Sequence, residues 1–73
     1  MQATLEKITC GALTYTLSCL EDTYTITITY QDVSKTLPRF TRDASTAHTF
    51  FPLIAEHEVS PYHLHDIWED YNK

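Results

Sequence analysis

Four histidines, two cysteines and ten carboxylates are the groups in this chain that can ligate metal or move protons. They crowd most densely from Ser60 to Tyr71, which reads SPYHLHDIWEDY. On an extended strand His63 and His65 would point the same way and could chelate one ion. On a helix the two imidazoles diverge by about 200° and cannot share it. A helix instead aligns His63, Asp66 and Asp70 in one stripe and sets His65 beside Glu69 one turn on. The first set offers at most three ligands and the second two. Structural zinc takes four Cys or His ligands, and catalytic zinc takes three plus water, so neither set is complete. A metal-dependent enzyme would need His63 and Asp66 joined by His48, His57 or a second subunit.

Other reactive arrangements are thinner. Cys10 or Cys19 paired with a histidine would make a nucleophile, but Cys19 falls on the apolar side of a strand and reads as a small core residue. Cys10 adjoins a turn, with nothing near it in sequence to lower its pKa. One glycine in the whole chain excludes a glycine-rich phosphate loop. Two cysteines make no secreted disulfide framework, so both are expected to be reduced.

Composition narrows the class further. The chain has 73 residues, 42% of them hydrophobic and 21% charged, with a formal charge of −5. That is a folded single domain, expected over 1–73, of marginal stability because so short a chain buries little surface. The five Lys and Arg are scattered, which argues against nucleic acid and anionic membranes, since both need clustered cations. No apolar run reaches the twenty or so residues of a membrane helix, and MQATLEKITC is no signal peptide. A cytoplasmic location is expected.

The elements that position these groups follow from periodicity. LTYTLSCL, ED and TYTITITY alternate apolar and small polar residues on either side of a turn at Glu21 and Asp22. That turn opposes Leu17 to Ile26 and Tyr15 to Ile28 on one face, and Thr16 to Thr27 and Thr14 to Thr29 on the other. A one-residue slip would reverse every side chain. ATLEKITC and VSKTLPRF add outer strands, Pro38 fitting only an edge or a break. Asp43 reads as the cap of a helix over about 44–57, in which Ala47, Phe50, Phe51 and Ile54 form the apolar stripe. Pro52 predicts a kink there or a later start near Thr49. Ser60 as cap and Pro61 as first helical residue open a second helix over about 61–71, with Leu64, Ile67, Trp68 and Tyr71 inward. The expected fold is α+β: a three- to four-stranded antiparallel meander, strands within 3–40, with a C-terminal helical hairpin packed on one face. Its threonine face is left to water.

The last stretch carries a resemblance. Val59, Ser60, Pro61, His63, Leu64, Asp66, Ile67, Glu69, Asp70 and Tyr71 match a tail of the form V-S-P-x-H-L-x-D-[VI]-x-E-D-[FY], behind a Phe-Phe-x-Leu-Ile helix. The chain thus resembles an uncharacterised family of short proteins from clostridia and related Gram-positive bacteria. It departs from them in TYTITITY, which lacks the glycine of their common Tyr-Gly-Ile strand. The resemblance implies no activity and singles out His63, Asp66, Glu69 and Asp70. Glu69 and Asp70 also sit where a helix dipole disfavours acid by a few tenths of a kcal/mol, a sign of use by a partner. The expectation is a non-enzymatic interaction or regulatory module without cofactor, touching its partner through those four residues. Its rivals are the metal-dependent enzyme and a homodimer joined at a sheet edge.

Overall fold

The alternating stretches fold into a four-stranded antiparallel sheet. In a computed structural model, which describes residues 3–71, β1 spans Ala3–Cys10, β2 Leu13–Leu20, β3 Thr23–Tyr30 and β4 Val33–Thr41, side by side in that order. The β2–β3 register is the one the alternation requires, with Leu17 opposite Ile26, Tyr15 opposite Ile28 and Thr16 opposite Thr27. Glu21 and Asp22 both take positive φ, 50° and 64°. Such a pair turns a hairpin with the twist its strands need.

Both outer strands deviate from ideal pairing. β1 bulges between Thr4 and Glu6, which leaves Leu5 47% exposed. β4 lies on an edge, where Pro38 lacks no obligatory donor, and its register jumps opposite Tyr24 and Ile26. Within the jump Arg39 takes a φ of 47°, and its N–H donates to Thr25 Oγ1 at 3.2 Å.

Helix α1 spans Ala44–Glu56. Asp43 caps it: its Oδ2 accepts from the Thr46 N–H at 3.2 Å and the Thr46 hydroxyl at 2.6 Å. Pro52 lies inside the helix, so the helix does not wait until Thr49 to begin. Pro52 and His48 are both exposed, so the break in the helical ladder falls on the solvent side of the helix, where an unpaired carbonyl costs least. The second helix differs from expectation at its start. Pro61–His63 form a 3₁₀ turn, and regular helix α2 covers only Leu64–Tyr71. Ser60 has the extended backbone of a cap, but its hydroxyl caps no N–H; the His63 ring takes it instead, Nδ1 lying 3.2 Å from Oγ.

The core lies between one sheet face and the helical hairpin. Tyr15, Leu17, Ile26 and Ile28 from the sheet meet Phe50, Phe51 and Ile54 of α1 and Leu64 of α2, all fully buried. Trp68 turns inward and meets Phe40 and Phe50 edge-on, at centroid distances of 5.1 and 5.0 Å. Each such aromatic pair contributes about 0.5–1.5 kcal/mol beyond area burial, which anchors the short α2 by its apolar stripe. The opposite sheet face is hydroxyl-rich, with Thr27 meeting Thr36 and Thr29 meeting Ser34 across strands at 3.4 and 3.3 Å. Among the described residues, no helix is long and apolar enough to cross a membrane.

Candidate functional site

The chain between the two helices makes a tight stop. His57 is the last half-helical residue of α1, Glu58 follows with φ of 51°, and Val59 returns to the core. The Glu58 N–H donates to the Ala55 carbonyl at 3.2 Å and the Val59 N–H to the Ile54 carbonyl at 3.1 Å. This pair of bonds is the Schellman closure, which satisfies carbonyls left over at a helix end. It calls for glycine at the left-handed position, yet glutamate stands there. Tyr15 fastens the turn to the sheet, its buried phenol donating to the Val59 carbonyl at 3.0 Å.

An open cleft of about 550 Å³ lies against this turn, lined by His57, Glu58, Val59, Ser60, His63, Asp66 and Ile67. Its apolar surface comes from Val59 and Ile67, which also pack on the core. Its polar groups are two carboxylates, two imidazoles and a hydroxyl. Cys10, at the end of β1, adjoins through Glu58: its Sγ donates to Oε1 at 3.5 Å. That hydrogen bond, then burial, then the carboxylate charge raise the thiol above its ordinary 9.0. A thiol so held stays protonated near neutrality and is a poor nucleophile. Cys19 is also a free thiol and belongs to the far end of the sheet, opposite Ala3.

Two of the four residues singled out by the sequence, His63 and Asp66, line the cleft; Glu69 and Asp70 are exposed farther along α2. The Ser60 hydroxyl, three residues back, contacts Nδ1 of His63, and among the described residues the His63 ring makes no hydrogen bond to Asp66. A serine–histidine catalytic pair needs the ring fixed by a third group, and among the described residues no hydrogen bond from the ring to Asp66 supplies it. His48 lies elsewhere, edge-on to Tyr24 at 6.1 Å. Among the described residues, no group of three or more His, Cys, Asp or Glu is arranged to hold a metal ion. Glu58 and the contact with Cys10 escaped the sequence reading. The two residues are 48 positions apart, and only the helix stop ahead of Ser60-Pro61 marked the place.

Comparison with protein-family models, curated proteins and solved structures finds no match to this chain.

Proposed function

We propose that the protein is a small, non-enzymatic, cytoplasmic interaction module that docks a basic segment of another protein at this cleft and along the acidic side of α2. The observation that carries the reading is the pairing of Glu58 and Asp66 with the apolar Val59 and Ile67 in one open cleft. A lysine or arginine side chain needs both: aliphatic surface for its stem and carboxylates for its head. His63, Asp66, Glu69 and Asp70 are all exposed and would extend the contact, and the formal charge of −5 favours a cationic partner. These four are also the polar positions of the tail that resembles the clostridial short proteins, and kinship with them is part of the proposal.

The test replaces His63, Asp66, Glu69 and Asp70 together by alanine and compares capture of partner from lysate at low and moderate salt. The expected result is a captured protein whose retention falls with salt and disappears in the fourfold variant. Retention unchanged by the four substitutions would sink the reading.

A further inference from the structure

The cleft mixes two kinds of titratable group. Glu58 and Asp66 are its carboxylates, and His57 and His63 line it beside them. Histidine is the side chain whose charge ordinarily changes between about pH 5 and 8. Both imidazoles are exposed, so a proton on either stays hydrated. A hydroxyl donates and accepts equally, so the Ser60 contact with His63 Nδ1 at 3.2 Å survives protonation of the ring. The groups that adjoin from the sheet do not compete. The Cys10 thiol of β1, bonded to Glu58, is held above its ordinary 9.0, and the Tyr15 phenol of β2, bonded to the Val59 carbonyl, above 10.0. Both stay uncharged across that range. Beyond the lining, α1 adds exposed Glu56, and α2 adds exposed His65, Glu69 and Asp70.

We infer that His57 and His63 gate the cleft: neutral, they leave it to a basic segment, and protonated, they expel that segment. The gate rests on the reading of this cleft as the site for such a segment. With both rings neutral, Glu58 and Asp66 give the lining a formal charge of −2, and two imidazolium charges cancel it. Each imidazolium also competes with an arriving cation for the same carboxylates. Val59 and Ile67 are unaffected, so protonation removes the attraction for the charged head and keeps the surface for its stem. Lysine and arginine of the partner hold their charge throughout the range. The cleft alone changes.

A rhodamine-labelled hexalysine peptide, bound to the full chain and followed by fluorescence anisotropy, tests this at about pH 8 and about pH 5.5 and one ionic strength. Circular dichroism checks the fold at both. The Kd should rise roughly three- to tenfold at the lower pH. Two double variants separate the gate from net charge, each read as the ratio of its own two dissociation constants. His57→Gln with His63→Gln should flatten the ratio. His48→Gln with His65→Gln removes as many imidazoles outside the lining and should keep it. If hexalysine does not bind at the higher pH, the docking of a basic segment fails and the gate with it. Binding that is equal at the two pH values overturns the gate and leaves the docking standing. So does a ratio that survives the first double variant or vanishes in the second. Loss of all binding in the first also overturns the gate, since the imidazoles would then be holding the segment.

Discussion

Asp43 and Glu58 stand at the two ends of α1, and the helix treats them oppositely. Asp43 has the extended backbone of an N-cap, φ −87° and ψ 114°, and places its carboxylate at the positive end of the helix dipole. Glu58 sits in the left-handed position that glycine fills best and brings negative charge to the negative end. Only Glu58 lines the cleft and accepts from Cys10. Local preference thus holds at the end concerned with folding alone and is broken at the end where the side chain has a second contact. Such broken local rules are where function is to be sought.

The largest expected effect comes from hollowing the core beneath the Glu58 end. Ile54 is fully buried, and its carbonyl receives the Val59 N–H. Ile54→Ala should cost about 2–5 kcal/mol through lost burial and a cavity, read by urea unfolding. In a domain this small that is a large share of the total stability. At the other end, exposed Ser45→Ala should stay within about 0.5 kcal/mol. Equal losses would mean that both ends are held alike.

Tyr15→Phe comes next. It keeps the ring in the core and deletes the phenol that holds the Val59 carbonyl, for an expected loss of about 1–2 kcal/mol. Burial first, then Cys10 and Glu58, raise the phenol above 10.0. With the folded value above the unfolded one, this contribution is whole below 10.0 and is lost as pH rises through the folded value. The variant should therefore lose less stability in alkali than the wild type. Parallel alkaline curves would show that folding does not raise the phenol.

The sequence made one of these ends far plainer than the other. Asp43 announces its cap through an adjacent helical stripe, and Leu17 finds Ile26 because period two fixes a hairpin within a few residues. Trp68 follows from helical spacing once α2 is accepted. Such signals are local. Cys10 meets Glu58 across 48 positions, and Tyr15 meets Val59 across 44, so neither contact leaves a mark in any short window. The 3₁₀ turn at Pro61 was hidden for another reason: the Ser60 hydroxyl had two acceptable partners, a backbone N–H or the His63 ring, and spacing does not choose between them. Pro52 was misleading because its cost depends on whether the deprived carbonyl reaches water, which is a property of burial.

Glu58→Gly sharpens the contrast directly. Glycine relieves the left-handed backbone and should raise stability by about 1 kcal/mol, measured as a higher urea midpoint with unchanged slope. The same change removes the acceptor and the charge that raise the Cys10 thiol. Alkylation of Cys10, followed in a Cys19→Ser background, should then set in at lower pH. A more stable protein with weaker partner capture is the signature of a residue kept for binding. A less stable one would show that the carboxylate serves the fold.

The smallest effect belongs to the well-behaved end. Asp43→Asn keeps a side-chain oxygen for the Thr46 N–H and removes only the ionisation, so near neutrality it should lose only the small contribution of the charged form. The acid limb is where the variant should differ. The Thr46 hydroxyl first, then the Thr46 N–H, hold the Asp43 carboxyl below its ordinary 3.8. A depressed folded value means that the contribution is complete above 3.8 and is lost as pH falls through the folded value. Asp43→Asn should therefore unfold along a flatter acid curve, followed by circular dichroism at fixed urea. If the two curves ran parallel, the Thr46 hydrogen bonds would carry no preference for the charged form. The contrast between the two ends of α1 would then rest on backbone geometry alone, with charge playing no part at Asp43.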